Sequence, residues 1–238
     1  MPNQGQGKMM SDEFMLCEGL LWEPSSGYFL LEGHLQRLQR SASHFHFALN
    51  VDAVRQQLCD YEQSLPQRPR KVRLGLTANG AVTLEDVDVK PSTPVLTELS
   101  EEPIQSGDEF LRHKTTRRAV YDRALAAHPK AQDVLLWNER HELTETCTAN
   151  IVLQIGGRRL TPPVSSGLLP GVFRALLLDR GEIQEEILPL GALEQATAIF
   201  LINSVRRWCE IRLRDQSISS RPDPQPRSGD TRHGIAAK

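Results

Sequence analysis

One lysine stands out among the six in this chain. Lys114, in the run FLRHKTTRR, follows the apolar pair Phe110–Leu111, whereas the other five lie in polar tails or beside turns. A lysine that attacks an aldehyde must lose its proton, so burial or neighbouring positive charge must lower its ordinary pKa of about 10.4. Arg112, Arg117 and Arg118 could supply that charge. Taken alone, the pattern also suits an exposed lysine in a basic stretch.

Glu145 offers a second chemical group, a carboxylate that falls between two strand-like runs and is followed by small residues and Asn150. A carboxylate that reaches into a cleft from this position could hold a ring nitrogen protonated, which would make the ring an electron sink. A turn glutamate flanked by threonines would have the same sequence. The residues by themselves leave both interpretations open.

The turn LLPGV could bind an anion because it opens a predicted helix. Backbone N–H groups near Gly171 and Val172 would lack intrahelical partners there, and proline suits the first turn of a helix. Arg37 could bring a guanidinium to the same anion. Asn203 and Ser204, which follow the apolar run AIFLI, are further candidates for binding phosphate or substrate.

Patterned segments surround these residues and must position them. Two apolar runs, 14–22 and 27–31, are separated by EPSS and predict a hairpin, and residues 33–47 predict an amphipathic helix with Arg37 on its polar stripe. The remaining predicted elements are helices over 51–65, 115–127 and 170–179, a second hairpin around Ala78–Asn79–Gly80, and strands at DVLLWN, ANIVLQI, RRLTPP and AIFLINS.

These segments predict an α+β fold with two lobes, for which 238 residues provide sufficient core. Residues 14–110 form the predicted small α+β lobe, and residues 111–214 form the larger lobe, which carries Lys114. Residues 1–13 are predicted to be a flexible N-terminal tail. Residues 215–238, rich in Pro, Ser, Gly and charge, are predicted to be a polar C-terminal tail.

Composition argues against several classes of protein. The formal net charge of −2 provides no strong field for nucleic acid or an anionic membrane. No apolar run approaches the roughly 20 residues that span a bilayer, and the first residues lack a secretory signal, so we expect a cytoplasmic location. Four scattered cysteines favour reduced thiols, and His44 and His46 point to different helix faces, so no metal site is predicted. Walker, GxGxxG and GxSxG motifs are absent.

Together the motifs resemble the class IV aminotransferase family of fold type IV pyridoxal phosphate proteins, which includes branched-chain aminotransferases, D-amino acid aminotransferases and aminodeoxychorismate lyases. The resemblance covers roughly residues 14–213. The family pattern is Glu, four residues, Asn, a strand, Thr-Pro, then Leu-Pro-Gly-Val and a basic residue. It is matched by Glu145, Asn150, Thr161–Pro162, Leu169–Val172 and Arg174. The resemblance implies a two-lobed architecture like that of D-amino acid aminotransferase, with the site between the lobes and usually a homodimer.

The resemblance also implies pyridoxal 5'-phosphate as the cofactor, bound by the larger lobe. Lys114 then stands where the family has its Schiff-base lysine, Arg37 where it has a phosphate-binding arginine, and Glu145 where it has the partner of the pyridine nitrogen. The remaining implied contacts fall on Asn150, Gly171, Val172, Phe173, Asn203 and Ser204. Three positions depart from the family pattern: Val152 replaces an aromatic residue, Phe173 a hydroxyl residue and Arg159 an apolar residue.

Within the family, the runs LWEPSSGYFLLEGHLQRLQRSA, FLRHKTTRRAVYD and FLINSVRRW look most like aminodeoxychorismate lyase, especially the lyase domain fused behind aminodeoxychorismate synthase. The implied reaction converts 4-amino-4-deoxychorismate to 4-aminobenzoate and pyruvate in folate biosynthesis, with Lys114 as base and a synthase as functional partner. A branched-chain or D-amino acid aminotransferase is the alternative, because it shares the cofactor motif. A third possibility, suggested by the three departures, is a relative that binds pyridoxal phosphate without turnover.

Overall fold

The computed structural model describes residues 14–89 and 93–214. The predicted tails, 1–13 and 215–238, lie outside the described residues. The described chain forms a four-stranded sheet and an eight-stranded sheet, each with its own hydrophobic core and helices. The predicted α+β fold with two lobes is confirmed.

The smaller sheet is antiparallel and has the order β2-β1-β3-β4. Alternate residues of β1, such as Leu16 and Leu20, are buried against Leu35 and Leu38 of the first helix. Glu18 belongs to the same row of β1, so its carboxylate faces that helix from within an apolar surface. The elements of this lobe are β1 (Leu16–Glu23), β2 (Gly27–Tyr28), α1 (Leu31–Phe45), α2 (Val51–Glu62), β3 (Arg70–Leu76) and β4 (Val82–Asp88).

The larger sheet is mixed and has the order β10-β9-β8-β11-β12-β5-β6-β7, and a further pairing between β7 and β8 closes it on itself. Its first strand, Val95–Leu99, falls in the range predicted for the small lobe but pairs in parallel with β12 and β6. The strands are β5 (Val95–Leu99), β6 (Asp133–Trp137), β7 (Leu143–Thr146), β8 (Asn150–Ile155), β9 (Arg158–Thr161), β10 (Gln184–Glu185), β11 (Ala198–Asn203) and β12 (Arg207–Leu213). The helices are α3 (Ala119–Ala127), α4 (Val172–Asp179) and α5 (Ala192–Gln195).

The segment around Lys114 connects the two lobes by pairing with the start of β1. Cys17 N donates to Lys114 O at 2.8 Å, and Thr116 N donates to Met15 O at 2.9 Å. Because these backbone groups bond to β1, they cannot enter a helix, and α3 begins only at Ala119. The prediction of a helix starting at Thr115 is therefore wrong.

Aromatic side chains pack across the same junction. Phe110 lies 5.3 Å from Phe14 and 5.4 Å from Phe45 between ring centroids. His113 stacks on His44 of α1 at 4.4 Å, and Ser41 Oγ lies 2.9 Å from Nδ1 of His113. These contacts hold the residues just before Lys114 against α1.

In the two described ranges, no helix is both long enough and apolar enough to cross a bilayer. All four cysteines are free, as predicted. Residues 14–89 and 93–214 also contain no group of three or more His, Cys, Asp or Glu side chains arranged to hold a metal ion.

Candidate active site

A carboxylate, a guanidinium and an imidazole meet where β1 packs on α1. Nε of Arg37 donates to Oε1 of Glu18 at 2.9 Å, and Nη2 donates to Oε2 at 2.6 Å. Nδ1 of His34 lies 2.7 Å from the same Oε2. All three side chains are buried. His34 and Arg37 are three residues apart, so they share the face of α1 that meets the inward row of β1.

This network fixes the charge and the direction of Arg37. Burial raises the pKa of Glu18, but the charge and hydrogen bonds of Arg37, helped by His34, overcome burial and hold that pKa at about 2. Nη1 of Arg37 also donates to Pro170 O at 3.3 Å. The guanidinium therefore lies against the turn that opens α4, beside the predicted anion site.

Lys114 lies in the electrostatic field of the same group. Burial lowers its pKa, the positive charge of Arg37 lowers it further, and Glu18 partly opposes this effect. Its Nζ donates no hydrogen bond to any residue in the described ranges. A partly buried amine with a lowered pKa and no hydrogen-bond acceptor suits a nucleophile or a base.

The sequence placed Glu145 between two strand-like runs. In the structure it lies within a strand of its own, β7. A tight turn follows β7, and in it Thr146 N donates to Ala149 O at 2.8 Å. This turn pairs Glu145 with Asn150 across β7 and β8. The side chains of both residues are buried and adjacent.

Three donors converge on the carboxylate of Glu145. Tyr121 Oη donates to Oε1 at 2.8 Å, Leu169 N donates to Oε1 at 3.2 Å, and Asn150 Nδ2 donates to Oε2 at 3.1 Å. Burial nevertheless raises the pKa of Glu145 to about 7, although Tyr121, Leu169 and Lys114 each lower it. It forms no ion pair in the described part of the chain. A protonated ring nitrogen would supply the positive partner that this carboxylate lacks.

Asn150 also holds the turn that precedes α4. Asn150 Nδ2 donates to Leu169 O at 2.8 Å. A Cβ on Gly171 would lie 2.0 Å from Asn150 Oδ1, so a side chain at this position would displace the amide. Gly171 is the N-cap of α4 and no side chain caps the helix, so the first N–H groups, at Val172 and Phe173, remain suited to an anion.

Asn203 and Ser204 lie at the end of β11. Asn203 Oδ1 accepts hydrogen bonds from Val205 N at 3.0 Å and Arg206 N at 2.8 Å, so this side chain shapes the turn into β12. Ser204 is buried, and its hydroxyl makes no hydrogen bond to the described residues. Neither side chain hydrogen-bonds to Arg37, Lys114 or Glu145.

A cavity of about 430 Å³ lies nearby, between residues 107–111 and the start of α3. It is lined by Arg117, Arg123 and Tyr121 among others, but not by Lys114, Arg37 or Glu145. Tyr121 is therefore shared between this cavity and the cluster around Glu145.

The structure thus brings together Arg37, Lys114, Glu145, Asn150 and the turn at 171–173. Comparison with known proteins identifies the group to which this arrangement belongs. Residues 15–213 match the family described as amino-transferase class IV. The chain belongs to the class IV aminotransferase family.

Several class IV relatives resemble the chain over most of its length. A Schizosaccharomyces pombe protein named "Putative aminodeoxychorismate lyase" is 31% identical over 193 residues, which cover 76% of this chain and 83% of that protein. A structure named as a putative amino-acid aminotransferase from Mesorhizobium loti is 33% identical, covers 84% of this chain and 99% of its own, and has a TM-score of 0.79. A 4-amino-4-deoxychorismate lyase structure from Pseudomonas aeruginosa shares the fold at 21% identity, with 84% and 82% coverage and a TM-score of 0.71.

The three residues that depart from the class IV pattern, Val152, Phe173 and Arg159, each have defined contacts in the structure. Val152 and Phe173 are both buried in one apolar cluster, and Phe173 lies 6.0 Å from the Phe29 ring. Phe173 can therefore offer an anion only its backbone N–H. Arg159 stacks on Trp208 at 5.1 Å. All three side chains have structural roles in packing.

Reasoning from the sequence missed two members of the site, Glu18 and Tyr121. Glu18 had a detectable signal, because a carboxylate in the inward row of an otherwise apolar strand requires a partner. Tyr121 had none, since its contact with Glu145 joins a helix to a strand that comes later in the chain.

Proposed function

We propose that the protein is a pyridoxal phosphate-dependent 4-amino-4-deoxychorismate lyase, which forms 4-aminobenzoate and pyruvate for folate biosynthesis. The observation that carries the proposal is the cluster in which Lys114 lies within electrostatic reach of both Arg37 and Glu145. Family membership supports the cofactor, and the name of the Schizosaccharomyces pombe relative supports the reaction.

Three features of the cluster fit pyridoxal phosphate. The uncapped N-terminus of α4 and the guanidinium of Arg37 suit its phosphate. Lys114, with a lowered pKa, suits its aldehyde. The buried carboxylate of Glu145 suits its ring nitrogen, because a positive partner would relieve the cost of the buried charge.

The residues have distinct tasks in the proposed reaction. Bound pyridoxal phosphate supplies an electron sink for the amine-bearing carbon of the substrate. Glu145 would accept a hydrogen bond from the ring nitrogen and keep that nitrogen protonated. Nζ of Lys114, whose pKa is lowered by burial and by the charge of Arg37, would take the proton from the amine-bearing carbon. Arg37 and the first N–H groups of α4 would hold the phosphate in place.

The elimination conserves every atom of the substrate. The carbon–hydrogen bond at the amine-bearing carbon breaks, and its proton passes to Lys114. The bond between the ring and the enolpyruvyl oxygen then breaks, which leaves an aromatic ring in 4-aminobenzoate. The departing enolpyruvate takes up one proton at its methylene carbon and becomes pyruvate, so no oxidant or water is consumed.

An amino-acid aminotransferase is the second candidate, favoured by the name of the Mesorhizobium loti structure. The same lysine would then return the proton to a cofactor carbon, and a keto acid would be required. The residues that hold the cofactor are common to both reactions. The distinction therefore depends on products and not on cofactor binding.

The test is release of 4-aminobenzoate and pyruvate from 4-amino-4-deoxychorismate by the protein with added pyridoxal phosphate. Lys114→Ala serves as the inactive variant, and Lys130→Ala, at an exposed position, is the matched control. Equal release of both products by the wild type and the control, but not by Lys114→Ala, supports the lyase. Amino transfer between amino and keto acids without such release would replace it with the aminotransferase.

Three further expectations complete the proposal. We propose that the protein acts in the cytoplasm, as a homodimer, and beside an aminodeoxychorismate synthase that supplies its small-molecule substrate. The name of the Schizosaccharomyces pombe relative supports the lyase reaction, whose substrate such a synthase would supply. Sedimentation of the purified protein tests the dimer.

A further inference from the structure

The hydrogen bonds of Glu145 leave one acceptor position on its carboxylate. Ionised carboxylates offer about four acceptor positions, two on each oxygen. Oε1 receives both Tyr121 Oη and Leu169 N, whereas Oε2 receives only Asn150 Nδ2. The open position is therefore on Oε2, and the two donors on Oε1 determine how the carboxylate is turned.

Tyr121 is the only side chain that binds Oε1 in the described ranges, and it is itself firmly held. It lies in the first turn of α3 and is 9% exposed. The guanidinium of Arg118 stacks on its ring, 4.5 Å from the centroid. Nη2 of Arg118 donates to Cys147 O at 2.6 Å, which connects α3 to the end of β7 just beyond Glu145. The phenol therefore has little freedom to turn away.

Tyr121 acts as a donor in this contact. Burial and then the charge of Glu145 raise the pKa of Tyr121 well above its ordinary value, so its hydroxyl retains its proton at every working pH. A cation over an aromatic face is attracted to the ring, so Arg118 also stabilises this arrangement.

We propose that Tyr121, held by Arg118, is the positioning residue of Glu145, which fixes Oε1 so that the open acceptor position of Oε2 faces the cofactor nitrogen. The inference rests on the proposed cofactor site and adds a residue that the family resemblance did not include. The stretch that carries Lys114 would then supply both the reactive amine and the support for the carboxylate.

The competing interpretation is that Tyr121 only fills space in the core. Tyr121 belongs to the apolar cluster that contains Leu111 and Val134, so its ring certainly packs there. Removing the hydroxyl alone separates the two roles, because the ring remains. The charged groups near Glu145, Lys114 and Arg118, are unchanged by this substitution.

The experiment is Tyr121→Phe, with titration of the Glu145 carboxyl by ¹³C NMR in the cofactor-free protein. The resonance is assigned by its loss in Glu145→Gln. A lost hydrogen bond to a charged carboxylate raises its pKa, and we expect an upward shift of about one unit, a tenfold change in proton affinity. Tyr28→Phe is the matched control, because it removes a phenol hydroxyl that bonds to Leu58 O in the small lobe.

A second measurement uses the protein with cofactor bound. Tyr121→Phe should lower kcat of the lyase reaction about tenfold, with KM for the substrate unchanged, because in this proposal the phenol acts through Glu145. Arg118→Lys retains the charge but loses the planar stack and the bond to Cys147 O. It should raise the pKa of Glu145 by a smaller amount.

An unaltered Glu145 titration in Tyr121→Phe would overturn the inference, whatever happens to activity. A shifted titration with Tyr28→Phe unchanged would support it. If the wild type releases no 4-aminobenzoate, the proposed lyase reaction fails, but the titration in the cofactor-free protein still decides the role of Tyr121.

Discussion

Glu145→Gln should remove a pH-dependent loss of stability from the cofactor-free protein. Burial raises the pKa of Glu145 from 4.5 to about 7, so the folded protein binds this proton more tightly than the unfolded chain. The stabilising contribution is complete below pH 4.5 and is lost as the pH rises through about 7. The gap between the two pKa values corresponds to about 3 kcal/mol of unfolding free energy.

The assay is urea unfolding at a series of pH values from about 5 to about 8. Glutamine cannot ionise, so we expect the wild-type curve to fall relative to the Glu145→Gln curve by most of that amount. The glutamine NH₂ group would also face Asn150 Nδ2, which places two hydrogen-bond donors opposite each other. This contact costs about 1–3 kcal/mol of unfolding free energy at every pH, so it leaves the pH dependence of stability unchanged. Glu102→Gln, at an exposed position, is the matched control. Parallel curves for the wild type and Glu145→Gln would refute the reasoning.

Three further substitutions test the other parts of the site. Lys114→Ala should abolish turnover and the visible absorbance of lysine-bound pyridoxal phosphate while some cofactor remains by equilibrium dialysis; a retained band would disprove the lysine assignment. Arg37→Ala removes the guanidinium beside the buried carboxylate of Glu18 and leaves only His34 next to it, so urea unfolding should show a loss of about 3–5 kcal/mol, with weaker cofactor affinity. Unchanged stability would mean that the pair contributes nothing. Gly171→Ala should displace Asn150 and weaken cofactor binding in a fluorescence titration, whereas Gly107→Ala, with no atom near the new carbon, should bind normally; equal affinities would contradict the close approach.

Periodicity in the sequence was sufficient to predict most of the elements. The helix predicted over 33–47 is observed at Leu31–Phe45, and the hairpin around Asn79 is observed between β3 and β4. Both depend on neighbours in sequence. The predicted start of α3 was wrong because Thr115 pairs with Leu16 of β1, a distant partner that no local pattern reveals.

In the candidate site, too, the sequence predicted the residues but not their long-range contacts. Lys114, Arg37 and Glu145 were named from residue types and a family pattern, and the structure brings them together. The bonds that orient them could not be predicted, because each joins segments far apart in sequence, as Glu18 does with Arg37 and Tyr121 with Glu145. Phe173 was expected to offer its backbone to an anion, and its N–H lies in the first turn of α4 while its side chain packs in the core.

The pairing of the Lys114 segment with β1 has a consequence for folding. The amide of Cys17 bonds to the carbonyl of Lys114, so the Lys114 backbone cannot move away without opening the start of the first strand of the smaller lobe. That amide is therefore a natural reporter of the site. Its hydrogen exchange should slow when cofactor binds, because a ligand that binds only the folded state makes every opening that destroys its site less frequent.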